Sequence, residues 1–176
     1  MPTIIPNYHP IFVHFTIALM VTSFGMLLLH YLFKTKPQLR QECLIVSRWC
    51  LWLAALVSIL TVIAGLHAYY TVAHDAITHK VMTTHRNWGI ATFVAIWVAA
   101  INSFVLYLKQ KPPHWLFTGV LAIAVVLVMV TGWYGAELVF RYGTGVMSLP
   151  QSEGAGHQHD SANNMVAHED SDNHQH

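Results

Sequence analysis

The chain has 176 residues, of which 55% are hydrophobic and only 10% are charged, and its mean hydropathy is +0.45. This composition is too apolar for an ordinary soluble domain. The formal net charge is +1 and the sequence contains no basic block, which excludes nucleic-acid binding as an expected function. The composition therefore predicts one membrane domain in a lipid bilayer, followed by a polar tail.

Four apolar runs are each long enough to cross a bilayer, because a hydrocarbon core about 30 Å thick requires about 20 helical residues. The predicted spans are about 11–33, 44–70, 89–108 and 115–140. Short connections make consecutive helices antiparallel neighbours. We therefore predict an all-α, integral membrane four-helix bundle over residues 1–148, in which a polar, histidine-bearing connection separates the second and third spans.

The C-terminal segment, residues 149–176, is rich in Ser, Gly, Asn, Asp, Glu and His and contains no aromatic residue. Such a segment buries too little apolar surface to offset the entropy of ordering, so we expect it to be disordered. Its histidines are His157, His159, His168, His174 and His176. Imidazoles beside carboxylates bind Cu²⁺ or Zn²⁺ weakly, so the tail is predicted either to capture such ions or to be a plain solvated tail.

The distribution of positive charge predicts the orientation of the bundle, since cytoplasmic loops carry an excess of Lys and Arg. The segments after the first and third spans contain Lys34, Lys36, Arg40, Arg48, Lys109 and Lys111. The opposite side has only Lys80, Arg86 and Arg141. In a bacterial inner membrane, both termini should therefore face the periplasm.

The same topology gathers histidines at the outer ends of the helices. His14, His67 and His85 have the most suitable depth in the spans, His9 and His79 come next, and His74 lies in the middle of the connection. A histidine in a span carries a desolvation cost and usually faces the bundle interior. On the cytoplasmic side, His30 and His114 are each expected to make a structural hydrogen bond.

Our first hypothesis for the outer histidines is haem b ligation. A helical bundle can hold a porphyrin between facing imidazoles. We expect two or more of His14, His67, His85, His9 and His79 to be axial ligands. Arg86 and Arg141 lie where they could pair with the haem propionates. This hypothesis predicts electron transfer rather than a stand-alone enzyme, with a quinone or a cytochrome c-type protein as redox partner; homo-oligomer formation is left open.

Two alternatives remain open. The first is a copper or zinc site formed by two or three imidazoles with Glu137, Asp75 or Met82, although no tight ligand spacing occurs in the membrane domain. The second is a non-catalytic membrane subunit that docks a respiratory or transport partner. A proton pathway is disfavoured, because Glu137 is the only acidic residue in the spans and no polar chain is expected to continue to the cytoplasmic side.

Two motifs carry a resemblance to a known family. NYHPIFVHFTIALM at residues 7–20 and GWYGAELVFRYGTGV at residues 132–146 resemble the HPxxVHFPIA and GWxGGxLVYxHGVGV patterns of a bacterial family of four-helix membrane proteins of unknown function. The resemblance implies four spans over roughly residues 7–146, and relatives joined to cytochrome c modules imply redox work. Three positions depart from these patterns, namely Thr16 for Pro, Ala136 for Gly and Tyr142 for His.

Overall fold

A computed structural model of the protein describes residues 8–72 and 76–144. These two ranges contain four α-helices and no β-strand: α1 His9–Leu32, α2 Pro37–Thr71, α3 Ala76–Leu108 and α4 Trp115–Phe140. All four helices are long and apolar enough to cross a membrane. The all-α, four-helix membrane architecture is thus confirmed. The predicted disordered tail, with its five histidines, lies outside the described residues.

The helices form a ring in which each one packs against two neighbours: α1 on α2, α2 on α3, α3 on α4 and α4 on α1. Packing is most extensive within the pairs α1–α2 and α3–α4, so the bundle consists of two helical hairpins. We call the end that contains His9, Thr71, Ala76 and Phe140 the histidine end. The opposite end, with Leu32, Pro37, Leu108 and Trp115, is the lysine end.

The polar, histidine-bearing connection predicted before the third span is largely helical. Helix α3 begins at Ala76, and the predicted span 89–108 forms only its second part. The sequence between Ala76 and Trp88 contains no Gly or Pro, and polar side chains are compatible with a helix that continues beyond the hydrocarbon core. As a consequence, His79 and His85 are held on a helix rather than on a loop.

Apolar side chains fill the centre of the bundle, and small polar side chains join the helices. The largest fully buried apolar residues are Met20, Leu27, Leu51, Ile96 and Leu121. The Ser23 hydroxyl donates to the Ser47 carbonyl oxygen (2.9 Å), which links α1 to α2 in the lysine half. Hydrogen bonds of this kind supply cohesion between membrane helices, where lipid offers no hydrophobic drive for association.

Helix α1 carries a polar residue at every seventh position from the histidine end to the lysine end. These residues are His9, Thr16, Ser23 and His30. Met20 and Leu27, both 0% exposed, lie between successive polar levels. The polar residues therefore form separate interhelical contacts rather than a continuous path.

Both histidines at the lysine end have local structural roles. The Nδ1–H of His30 donates to the carbonyl oxygen of Arg40 at the start of α2 (2.8 Å). His114 caps α4, because its Nδ1 accepts a hydrogen bond from the backbone N–H of Phe117 (3.2 Å). Capping satisfies one of the backbone donors that the first helical turn leaves unpaired.

Candidate cofactor site

His9 is the first residue of α1 and is anchored to α2. Its Nδ1–H donates to the carbonyl oxygen of Thr61 (2.9 Å). The ring lies directly against the backbone of Gly65, where an added Cβ would come within 2.8 Å of the His9 Cε1 atom. Any other residue at position 65 would displace the ring, so the glycine makes this approach sterically feasible.

His85 on α3 is anchored to α4 in the same manner. Its Nδ1–H donates to the carbonyl oxygen of Thr131 (3.1 Å). The ring lies against Gly135, at which a Cβ would be 3.1 Å from the His85 Cε1 atom. Each hairpin therefore holds one imidazole between two helices by the same two contacts.

The two imidazoles meet across the diagonal of the bundle. Their ring centroids are 6.1 Å apart and their planes differ by 80°. A carbonyl oxygen can only accept, so both Nδ1 atoms must carry the proton. In the neutral imidazole the lone pair is then on Nε2, the atom through which such a ring binds a metal. The histidine end thus brings two imidazoles of the same tautomer together.

A cavity of about 510 Å³ surrounds both rings, between the two hairpins. Its lining is mainly apolar, and buried core residues such as Ile96 and Val128 contribute to it. The lining also includes Tyr69 and Met82. A few polar groups in an apolar cavity of roughly 300–1,000 Å³ are typical of cofactor and ligand sites.

Arg86 is the cation that lines this cavity. Its guanidinium carbon lies 4.9 Å from the centroid of the Tyr69 ring, and its Nη2 donates to Asn87 Oδ1 (3.3 Å). The Nε atom of Arg86 is buried and has no hydrogen-bond partner within residues 8–72 and 76–144. An unpaired buried donor of this kind carries a desolvation cost.

Arg141, the second arginine predicted to bind propionates, does not line the cavity. Its side chain is 71% exposed and forms a salt bridge with Glu137 one turn earlier in α4 (2.8 Å). This contact also engages Glu137, a predicted alternative metal ligand. The other alternative ligand on the connection, Asp75, and the neighbouring His74 lie outside the described residues.

Of the three remaining predicted histidines, only His14 lines the cavity. His14 is exposed and lines the cavity, and its Nδ1–H donates to the Pro10 carbonyl oxygen of its own helix. His67 is exposed and is not part of the lining. His79 is exposed, with its Nε2 3.4 Å from the Tyr69 hydroxyl. Of the five predicted ligands, only His9 and His85 therefore have their imidazole rings close to each other across the bundle.

The described part of the chain contains no group of three or more His, Cys, Asp or Glu residues with a geometry that could hold a metal ion. A tetrahedral zinc site needs three or four protein ligands. The pair formed by His9 and His85 is therefore insufficient for zinc unless further ligands join it.

Four residues of the site were not singled out as site residues by the sequence analysis. They are Thr61, Gly65, Thr131 and Gly135. In a membrane helix, a glycine near a threonine is typical of ordinary close packing between helices. The signal that distinguishes these residues is recurrence, since a Gly follows a Thr by four positions in both α2 and α4.

Comparisons with known proteins assign the chain to a family but to no characterised relative. No curated protein and no solved structure matches the chain. A family model described as "Predicted membrane protein (DUF2231)" matches residues 6–148, which include all four helices and the whole cavity. The protein therefore belongs to the DUF2231 family of predicted membrane proteins.

Proposed function

We propose that the protein is a b-type cytochrome-like electron carrier that holds one haem between His9 and His85. The observation that carries the proposal is the 6.1 Å separation of two imidazoles whose Nδ1–H groups are both bonded to backbone carbonyls. Two metal–nitrogen bonds of about 2 Å each, plus the distance from each ring centre to its nitrogen, also give about 6 Å. The two rings therefore have the spacing of two axial ligands.

The number of available ligands supports haem over a bare metal ion. A porphyrin supplies four nitrogen ligands, so its iron requires at most two from the protein. The site offers two imidazoles from facing hairpins, and the described residues add no third His, Cys, Asp or Glu to form a metal-binding group. A haem held by His9 and His85 would supply one-electron chemistry rather than bind a substrate at its iron.

The cavity offers what a flat apolar molecule with acidic substituents requires. Its apolar lining can exclude water from a macrocycle, which lowers the cost of holding it in the bundle. Arg86 stands at the cavity wall, where its guanidinium could form a charge-assisted hydrogen bond with a carboxylate. Arg86 is therefore the residue we assign to a propionate.

We further propose that the site faces the periplasm and exchanges electrons there with a quinone or a cytochrome c-type protein. The excess of Lys and Arg at the lysine end supports this orientation in a bacterial inner membrane. Membrane-impermeant thiol reagents test it, with Cys43 and Cys50 replaced by Ala. A cysteine placed at the exposed position Lys80 should react in intact spheroplasts, and one placed at the exposed position Gln110 should react only after lysis; the reverse result would contradict the orientation.

The haem proposal is tested by visible spectra of the detergent-purified, haem-reconstituted protein, oxidised and dithionite-reduced. We expect a b-type spectrum that His9→Ala and His85→Ala each abolish, because one axial ligand cannot hold the group at this site. The matched controls are His67→Ala and His79→Ala, which alter histidines at the same end that do not line the cavity. Full haem retention by His9→Ala or His85→Ala would refute the assignment.

A second candidate is a Cu⁺ site, favoured by one observation. Met82 lies one turn from His85 on α3, is buried and lines the same cavity. A thioether beside two imidazoles suits Cu⁺. A colourless protein with one equivalent of copper, lost on Met82→Leu substitution, would support this candidate over haem. If the protein binds neither haem nor copper, the hypothesis that remains is a non-catalytic membrane subunit.

A further inference from the structure

The two hairpins bury equivalent positions along their first helices. Every buried residue of α1 has a buried counterpart 76 positions later in α3. The pairs are Thr16 and Thr92, Met20 and Ile96, Ser23 and Ala99, Leu27 and Ser103, and His30 and Leu106. The helices α1 and α3 therefore present the same face to the bundle interior in the same register.

The second helices of the hairpins show the same correspondence. Four buried residues of α2 have buried counterparts 70 positions later in α4. The pairs are Ser47 and Phe117, Leu51 and Leu121, Ala54 and Ala124, and Ser58 and Val128. Each hairpin thus repeats the packing of the other about an approximate twofold axis that runs along the bundle.

The polar contacts at the histidine end repeat in kind as well as in position. In the first hairpin, the Thr16 and Thr61 hydroxyls lie 2.9 Å apart, one level below the bond from His9 to the Thr61 carbonyl. In the second hairpin, the Thr92 and Thr131 hydroxyls lie 2.7 Å apart, below the bond from His85 to the Thr131 carbonyl.

Packing alone does not account for this chemical identity. In the lysine half the buried polar residues have apolar counterparts, as with Ser23 against Ala99 and His30 against Leu106. At the histidine end the His, the two Thr and the Gly are the same residue types in both hairpins. The polar residues are therefore the same in both hairpins around the two rings, whereas those of the lysine half are not.

We propose that the hairpins contribute two equivalent half-sites to one ligand on the approximate twofold axis, and that Gly65 and Gly135 are the paired positioning residues that set the two imidazoles. The identity of the ligand as haem rests on the proposed function, whereas the equivalence of the two half-sites does not. Each glycine lets a ring lie against the opposite helix backbone while its Nδ1–H reaches a threonine carbonyl.

Equivalence has a chemical consequence for the ligand. Two imidazoles held by the same two kinds of contact should bind the ligand with similar strength. The two sides of the ligand should therefore have similar environments. Substitution at one glycine moves only the ring of its own half-site, whereas substitution at both moves both rings. The proposal therefore predicts paired, similar effects at positions that are 70 residues apart in the sequence.

The test uses the full chain with Gly65→Ala, Gly135→Ala and both together. The matched controls are Gly25→Ala and Gly119→Ala, because a Cβ at either position would meet nothing within 4 Å. We expect each site variant to weaken haem retention roughly tenfold to a hundredfold, in the range of supporting residues around a metal ligand, and the controls to have no effect. A large effect from only one site glycine would overturn the equivalence.

A measurement on cofactor-free protein separates this inference from the haem proposal and remains informative if the alanine variants misfold. ¹⁵N-histidine NMR of the wild type, assigned with His9→Gln and His85→Gln, should show both rings as the Nδ1–H tautomer. Different tautomers at the two positions would overturn the equivalence whether or not haem binds. Matching tautomers without haem binding would support the half-sites and refute only the proposed function.

Discussion

The two ends of the bundle use histidine in different ways. At the lysine end, His30 and His114 make bonds that close a connection and cap a helix. At the histidine end, His9 and His85 are anchored through Nδ1 to neighbouring helices, and both line a cavity. A hydrogen bond to the backbone is therefore common to both ends. The distinguishing features of the candidate site are the cavity and the second imidazole.

The largest expected effect comes from removing each pair of histidines in turn. His9→Ala with His85→Ala should abolish haem binding, because both axial ligands are lost. His30→Ala with His114→Ala should retain haem but lower the free energy of unfolding by about 1–4 kcal/mol, from a lost cap and a buried side chain. Haem content by pyridine haemochrome assay and thermal unfolding in detergent measure the two effects. Haem loss in the lysine-end variant would remove the distinction between the two ends.

A smaller effect is expected from the arginines at the histidine end. Arg86→Leu should weaken haem affinity by roughly tenfold to a hundredfold, the equivalent of one charge-assisted hydrogen bond of about 1.5–3 kcal/mol. Arg141→Leu is the matched control, since this side chain is exposed and pairs with Glu137 outside the cavity. Haem titration of the cofactor-free protein measures both affinities. Equal losses in the two variants would show that Arg86 has no specific role.

The smallest expected effect comes from removing one interhelical hydroxyl contact at each end of the bundle. Thr92→Val and Ser23→Ala each remove one interhelical hydroxyl contact, and each should cost about 0.6 kcal/mol of stability. Only Thr92→Val borders the cavity, so it alone should shift the reduction potential of the bound haem. Spectroelectrochemical titration of both variants measures the shift. A comparable shift in Ser23→Ala would mean that the potential follows the stability of the bundle rather than the site.

Much of the fold could be predicted because the requirement for about 20 apolar residues per span is strict. The exception was the start of α3, which lies well before Gly89. Hydropathy indicates where a helix leaves the hydrocarbon core, but not where the helix itself begins. The depth of the histidines along the bundle axis was also accessible, because each residue of a helix advances it by a fixed rise.

The rotation of each helix about its own axis could not be predicted in the same way. In a membrane bundle, the surfaces that face lipid and core are both apolar, so hydrophobic periodicity does not separate them. His14 and His67 therefore have suitable depth in the sequence but are exposed, whereas His9 reaches the bundle interior from the first residue of α1. His9 and His85 each precede a Thr by seven positions, and this recurrence is the sequence signal that these two histidines face the bundle interior.

The position of His9 at the start of α1 has a consequence for energetics. Helix α1 contains 24 residues and is about 36 Å long, so nearly the whole thickness of the bilayer lies to one side of this ring. The haem we propose, held at that depth, would exchange electrons close to one face of the bilayer. Electrons would then enter and leave at the same face of the bilayer, so turnover would move no net charge through the membrane and should proceed at the same rate whether or not the cell is energised.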